Sequence, residues 1–375
     1  MTNLGGRIHN IHYGDILIKY NEIISLKNTE IECLTAEGET HAPKDYVQDG
    51  DIIIADTAED EMVGKTVEVQ EIGKRKVLSG LHTVFYRPPA NIFVRGWLGY
   101  WMNSSAYHNQ LFQYMTGTKV LSLSKASLAD TIIQYPSIDE QLKIVTALEE
   151  VQRQITILES LIVKHESIKK ATVKMLMTPT AEWQEATLGD FYTVSSGLSK
   201  GAEFFGSGYP FLSFVTVFNN PIIPDRLDNL VESSAYERKQ CSVRRGDVFL
   251  TRTSETLDEL GMSSVALQDY PDATFNGFTK RLRPIEGIPL CPEFMAFYLR
   301  TENFRKSICQ KASITTRASL NKDTIEKLVI AYPIPSVQRE IAKNLMTMDK
   351  QRMILVEELD KLKQLKQSML QYFFG

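Results

Sequence analysis

Cysteine is scarce and unpatterned in this sequence. Its 375 residues hold four, Cys33, Cys241, Cys291 and Cys309, with no CxxC pair and no metal-ligand spacing. That excludes a disulfide framework and makes a reducing cytoplasm the simplest home. Long apolar runs are missing as well. No stretch approaches 18 uninterrupted apolar residues, so no membrane span is expected, and the opening MTNLGGRIHNIHYGD lacks the apolar core of a signal peptide. Neither sign of charge dominates: 42 Lys and Arg face 46 Asp and Glu, a net charge of −4. The total therefore gives no sign of a polyanionic partner and does not exclude one, because binding uses local patches. Catalytic signatures are absent too: there is no GxGxxG, GxSxG or HExxH, and no NPPY-like methyltransferase loop. What is present is a chain with 43% hydrophobic and 23% charged residues. Those are ordinary values for a soluble protein with a real core, and at roughly 150 residues per domain they predict two domains or three.

Self-similarity organises the chain. Tyr135 recurs as Tyr332, and the same offset of 197 pairs Gln141 with Gln338, Ile144 with Ile341 and Leu148 with Leu345. Upstream it aligns Ser122-Leu123-Ser124-Lys125 with Ser319-Leu320-Asn321-Lys322, and Tyr100-Trp101-Met102 with Phe297-Tyr298-Leu299. With one residue of slippage, Gly50-Asp51 matches Gly246-Asp247 and Arg87-Pro88 matches Arg283-Pro284. A near-constant offset over most of a module marks two diverged copies of one unit, a globular module followed by a long helix.

The helices carry the clearest periodicity. Ile144, Leu148, Val151, Ile155, Leu158, Ile162, His165, Lys169, Thr172 and Leu176 alternate spacings of four and three. Ile341, Leu345, Met348, Arg352, Leu355, Leu359, Leu362, Lys366, Met369 and Phe373 repeat them one copy later. That is a heptad seam. Ser137 and Glu140 form a capping-box signature at the first helix start, and Thr178-Pro179 stops it. At roughly 1.5 Å per residue each helix is about 60 Å long. A stripe of that length needs a mate, and an antiparallel pairing of the two copies is the simplest. The modules read as mixed α/β: strands are expected at Ile52–Ala55, 248–250 and 63–69, and helices over 98–112 and 294–308. The predicted class is α+β, two α/β modules in pseudo-twofold repeat separated by two long helices packed as an antiparallel coiled coil. The boundaries are 1–135, 136–178 (central helix), 179–335 and 336–375 (C-terminal helix).

Basic residues bunch in loops beside short hydroxyls. Lys74-Arg75-Lys76 precedes Ser79-Gly80-Leu81-His82-Thr83, Thr251-Arg252-Thr253-Ser254 ends a strand, and Thr279-Lys280-Arg281 begins another. Any one cluster is most simply a solvated face, but this pairing is what phosphate positioning and base-edge reading require. Other patterns are decoys. Gly64-Lys65-Thr66 ends like a phosphate loop, yet Glu59 stands where its first glycine belongs. His9 and His12 lack further ligands nearby, and His165 falls in the heptad seam, where packing is its simplest role. Asp225, Glu237 and Lys239 fit a PD…ExK metal-nuclease spacing, in which two carboxylates and a lysine would serve Mg²⁺ and its water. That pattern is short and common, and the first copy has Thr29, His41 and Pro43 at the aligned places.

Taken with the duplication, Pro136-Ser137-Ile138-Asp139-Glu140-Gln141 and Pro333-Ile334-Pro335-Ser336-Val337-Gln338, the Gly-Asp strands and the Gly117-Thr118-Lys119-Val120 loop make the chain resemble the specificity subunit of Type I restriction–modification systems. Two departures are Val337 in place of the glutamate before Gln338, and Ile314-Thr315-Thr316-Arg317 without the loop glycine. The resemblance implies that residues 1–135 and 179–335 are target recognition domains, each reading half of a bipartite site in double-stranded DNA. It implies spacer helices that dock two methyltransferase subunits, to which a restriction translocase subunit adds. S-adenosylmethionine, ATP and Mg would serve those partners, and this chain would have no cofactor, metal or chemistry of its own. Candidate readers by loop position and chemistry are Lys19, Arg75, Lys76, His82, Lys119 and Lys125 in the first module. In the second they are Lys200, Arg252, Ser254, Lys280, Arg317 and Lys322. Two other readings stay open: a stand-alone coiled-coil scaffold, which would bind no DNA specifically, and a nuclease built on Asp225, Glu237 and Lys239, which would cut with Mg²⁺ and no partner.

Overall fold

A computed structural model describes residues 8–27, 29–34, 45–254, 256–314 and 318–375. The chain divides into two compact units, one formed by residues 1–160 with 356–375 and the other by residues 161–355. In each unit a module is packed with one stretch of each long helix.

At the centre of the first unit is a four-stranded sheet in the order Ile23–Ser25, Thr66–Gln70, Ile52–Ala55, Thr83–Tyr86. All neighbours are antiparallel except Ile23–Ser25, which runs parallel to Thr66–Gln70. The run Ile52-Ile53-Ile54-Ala55 is apolar at every position because both faces of the sheet are covered. Ile52 and Ile54 join Trp97, Leu98, Tyr107 and Leu111 on one side. Ile53 and Ala55 join Ile11, Ile16, Val67 and Val77 on the other.

The second unit repeats this construction. Its sheet runs Tyr192–Ser196, Thr279–Pro284, Val248–Thr251, Ser263–Val265, with every pair antiparallel. Val248 and Leu250 enter the cluster of Phe294, Leu299 and Ile308, while Phe249 enters that of Phe211, Val231 and Phe275. The strand registers coincide with the sequence offset. Ile52 faces Tyr86 as Val248 faces Leu282, and Ile54 faces Thr66 as Leu250 faces Ser263. The fourth strand differs, since it is added on opposite edges of the shared three.

The recurring Gly-Asp and Arg-Pro pairs have one physical basis. The buried Asp51 carboxylate accepts a fork from Arg87, Nε at 2.9 Å and Nη2 at 2.8 Å, and the Gln48 N–H at 2.5 Å. Asp247 accepts the same fork from Arg283 at 2.8 and 2.6 Å, and the Arg244 N–H at 2.8 Å. A buried charge persists only when it is paired and hydrogen-bonded in this way.

The long helices run Ile138–Leu176 and Pro335–Phe374. Every predicted seam position is buried or half-buried, while the residues between them are mostly exposed. Within the first unit Gln152 and Glu159 meet Lys366 and Lys363. Within the second, Glu166 and Lys169 meet Arg352 and Asp349. Numbers rise along one helix as they fall along the other, so the pairing is antiparallel. Two seam lysines are themselves equivalent. Lys366 binds Glu22 at 2.7 Å and Gln152 at 2.7 Å, with its ammonium 5.7 Å from the Tyr100 ring centre. Lys169 pairs with Asp349 and lies 5.6 Å from the ring of Phe297.

Each helix is locked at its start by a fully buried glutamine. Gln141 Oε1 accepts from Val94 N at 2.9 Å, and its Nε2 donates to Ile92 O and Pro136 O at 3.1 and 3.0 Å. Gln338 Oε1 accepts from Cys291 N at 2.8 Å, and its Nε2 donates to Pro289 O and Pro333 O at 2.8 and 2.7 Å. All three partners are related by the offset of 197. The predicted cap is present in one direction, with Ser137 Oγ accepting from Glu140 N at 3.4 Å.

Two expected helices are each interrupted. The span 98–112 is Trp97–Trp101 followed by Ser105–Leu111, and 294–308 is Pro292–Tyr298 followed by Glu302–Lys311. Ser104 and Thr301 restart the chain as N-caps, accepting from Tyr107 N and Phe304 N, which is where short hydroxyl residues compete best with helix continuation. Among the described residues no helix is long and apolar enough to cross a membrane.

The glutamine lock gives a direct test. Gln338→Ala leaves one N–H and two carbonyls without their partner in a dry site, so the second unit should lose about 3 kcal/mol in a urea titration. Arg153→Ala, off the seam, removes only the exposed ion pair with Glu150 and should leave the urea midpoint unchanged.

Candidate nucleic-acid interface

The short loop that leads into the strand beginning at Thr83, or at Thr279, adjoins basic and hydroxyl groups in both units. In the second unit it brings together residues far apart in sequence. Val248–Thr251 pairs with Thr279–Pro284, with Thr251 opposite Thr279, so Arg252 leaves one strand as Lys280 joins the next. Lys280 Nζ donates to Ser196 Oγ at 2.7 Å. Burial, and then the neighbouring Arg252 guanidinium, hold the Lys280 amine below its ordinary pKa. Arg252 Nε is buried and has no hydrogen-bond partner among the described residues. Two half-buried cations that repel one another form a ready place for an anionic oxygen. Ser254 lies beyond, donating to Glu259 Oε2 at 3.2 Å.

In the first unit the equivalent loop carries His82. Its Nδ1 lies 3.3 Å from Thr57 Oγ and 3.8 Å from Asp56 Oδ1, and its ring meets Tyr13 edge-on at 5.3 Å. His82 is exposed and takes a left-handed φ of 56°. Arg75 and Lys76 are exposed on the turn and strand just before it; Arg75 donates to Thr29 O at 3.1 Å, and Lys76 lies over the Tyr46 ring at 5.6 Å. Lys119 is exposed in the bend after Gly117.

Lys125 and Lys322 are exposed first residues of the equivalent helices Lys125–Ala129 and Lys322–Glu326, whose caps are Ser124 and Asn321. Lys322 also reaches Glu326 at 3.6 Å. Two candidates are engaged elsewhere. Lys19 is tied to Asp15 at 2.7 Å, and Lys200 donates to Glu232 O at 2.8 Å, pairs with Glu237 at 3.0 Å and packs over the Phe204 ring. Arg317 lies outside the described residues.

The decoys resolve into structural roles. Gly64 has a φ of 91°, and a Cβ there would stand 2.4 Å from Leu111 Cδ1; Gly261 has a φ of 67° and meets the equivalent Ile308. Gly64-Lys65-Thr66 is thus a packed turn, with Lys65 Nζ donating to Leu17 O at 2.9 Å. His12 caps a helix by accepting from Gly14 N, and His9 lies against Ile31 O and Cys33. Both nitrogens of His165 are buried in the seam and have no hydrogen-bond partner among the described residues. The nuclease reading finds no support. Glu237 completes a capping box with Ser234, and that backbone N–H together with Lys200 holds its carboxyl below the usual range. Asp225 and Lys239 are exposed, and among the described residues no group of three His, Cys, Asp or Glu is placed to hold a metal.

Each unit also carries a groove that sequence reasoning missed. In the first, Asn103, Ser104, Gln367, Leu370 and Gln371 line about 830 Å³. In the second, Arg300, Thr301, Lys170, Val173 and Lys174 line about 1240 Å³. These residues correspond one to one at the offset of 197, so the repeat was the signal that could have located the grooves. Sequence reasoning also passed over Ser196, which only strand pairing places beside Lys280, and the exposed loop tips Leu81 and Phe278.

Comparison with known proteins agrees with this construction. The S subunit of a Type I restriction–modification system from M. genitalium superposes with a TM-score of 0.56 at 12% identity, covering 99% of this chain and 89% of that one. A chain from a study of complex assembly and conformational transition in the type I R-M system gives 0.54 at 19% identity, covering 89% and 84%. The HsdS subunit from Thermoanaerobacter tengcongensis gives 0.48 at 19% identity over the same shares. At these identities the first two matches establish a common fold. The family model described as the Type I restriction modification DNA specificity domain matches residues 180–367. With half of its length matched by that model, the chain belongs to the Type I restriction–modification DNA specificity family.

Proposed function

We propose that each module reads one half of a bipartite target in double-stranded DNA, and that the helix pair sets the distance between the halves. The observation that carries this reading is the duplication itself. Two modules with the same strand registers and the same helix lock present chemically different loops at the same place, His82 beside Asp56 and Thr57 in one, Arg252 beside Lys280 in the other. One scaffold with two dissimilar reading heads suits an asymmetric sequence. Phosphate contacts would fix register, and base-edge contacts from Arg252, Ser254, His82 and Lys125 or Lys322 would specify. Lys19 and Lys200, already paired, would serve their loops rather than DNA.

The chain would work in the cytoplasm without chemistry of its own, as the recognition subunit of a complex. Two methyltransferase subunits would dock on the helix pair, one at each of the equivalent grooves, and a restriction translocase subunit would add to them. S-adenosylmethionine, ATP and Mg would be bound by those partners, with the methyl group coming from S-adenosylmethionine.

The first experiment is sequencing of methylated sites in cells that carry this chain with its methyltransferase. Replacing residues 1–135 by the module of another family member should change one half of the methylated sequence and leave the other intact; changes in both halves would overturn independent reading. Lys280→Ala should lower the slope of log affinity against log salt by about one if that amine meets a phosphate. Arg252→Ala should cost about 1–3 kcal/mol and relax one base position if its fork reads a guanine edge. Adding seven residues to both helices keeps the seam in phase and lengthens the pair by about 10 Å. At about 3.4 Å per base pair the spacer should then grow by about three. An unchanged spacer in an active variant would show that the helices do not set the distance.

A further inference from the structure

We propose that Leu81 and Phe278, the apolar tips of two equivalent loops, enter the duplex and wedge between neighbouring base pairs, one in each half-site. This rests on the DNA-reading function above and adds to it a contact of a different kind.

Each tip is held by the same device. Gly80 N donates to Ile11 O at 2.9 Å, and Gly277 N donates to Leu198 O at 2.8 Å. A Cβ at Gly80 would stand 2.7 Å from Ile11 O, and one at Gly277 would stand 2.8 Å from Leu198 O, so a backbone carbonyl occupies the space a side chain would need. The chain then returns within one or two residues to the central strand, where Thr83 pairs with Ala55 and Thr279 with Thr251. Only Leu81 and His82 lie between these fixed points in the first unit, and only Phe278 in the second.

Each loop is pinned again from the neighbouring strand end, at Phe278 itself in the second unit and at His82, one residue past Leu81, in the first. Asp56 N donates to His82 O at 3.2 Å, and Arg252 N donates to Phe278 O at 3.0 Å. Phe278 N also donates to Asn276 Oδ1 at 2.6 Å. These are short, cross-tied loops, so little ordering entropy is left to lose on binding.

At the end of each stands a large apolar side chain in water: Leu81 is 70% exposed and Phe278 is 58% exposed. Single exposed apolar residues are common on protein surfaces. What distinguishes this pair is recurrence at one rigid loop in both copies, next to the very groups placed to meet phosphate and base edges. Phe278 directly follows Gly277 and is bracketed by Arg252 and Lys280; Leu81 precedes His82. Leucine and phenylalanine are among the wedges that proteins insert between base steps, where the unstacking cost is offset by a bent duplex that contacts more protein. The flanking cations would hold the backbone on either side of the opened step.

The test uses the full chain assembled with its methyltransferase partners, and a duplex of the methylated sequence found by sequencing. 2-Aminopurine replaces one base at a time, outside the methylated base and its immediate neighbours, and S-adenosylmethionine is withheld. The wild type should brighten one position several-fold in each half-site. Phe278→Ala should abolish the signal in one half-site only and weaken binding about tenfold, the scale of one lost base–aromatic contact, while Phe278→Trp retains both. Leu81→Ala should act only on the other half-site. Specific binding with no brightened position, or a Phe278→Ala complex as bright and tight as wild type, would overturn the wedge and leave DNA reading intact. A wild-type complex that binds its methylated sequence no better than an unrelated duplex would overturn both.

Discussion

The construction depends on the buried amide at the start of each long helix. A helix joined to a globular module by a short proline-containing link has no fixed direction unless something sets its first turn. Gln141 and Gln338 do so by closing three hydrogen bonds each: to an N–H and a carbonyl of the segment before the helix that begins at Trp97 or at Pro292, and to the carbonyl of the proline that precedes the long helix. Because these groups are excluded from water, an alternative direction would leave them unpaired, at a cost no surface contact could offset. The seam, the lysine anchors and the aim of the reading loops all follow from that direction.

Much of this was legible before any coordinates. The offset of 197 survives down to individual hydrogen bonds, because helix starts, caps and tight turns are local devices that the same residues rebuild in the same way. The seam was legible because a stripe with heptad spacing has one physical use. The apolar runs at Ile52–Ala55 and Val248–Thr251 were legible because strands buried on both faces need no polar alternation.

The interface was less legible, and for a physical reason. Whether a lysine is a reader or a tether depends on partners that sequence distance conceals. Lys200 looked like a loop cation, and Glu232 and Glu237 take it up; Lys280 looked much the same, and strand pairing sets it beside Ser196 and Arg252. The fourth strand of each sheet was equally hidden. Ile23–Ser25 and Tyr192–Ser196 occupy opposite edges and are not related by the offset, so the repeat could not announce them. The breaks at Ser104 and Thr301 lie in their capping chemistry, a local signal that the helix-compatible residues on either side conceal.

The seam lysines carry a consequence for how such a chain can change in evolution. A lysine in an apolar stripe is tolerated only where its ammonium finds a partner: Lys366 finds Glu22, Gln152 and Tyr100, and Lys169 finds Asp349 and Phe297. Gln152 and Lys169 on one helix, and Asp349 and Lys366 on the other, therefore bracket stretches whose length is free. A duplication or loss of whole heptads inside both brackets leaves every anchor matched. The same event outside them parts Lys366 from Glu22 and Tyr100, or Lys169 from Phe297, and is selected against. New target spacings in a lineage of such proteins would accumulate as indels confined to the middle of both helices, always as matched pairs.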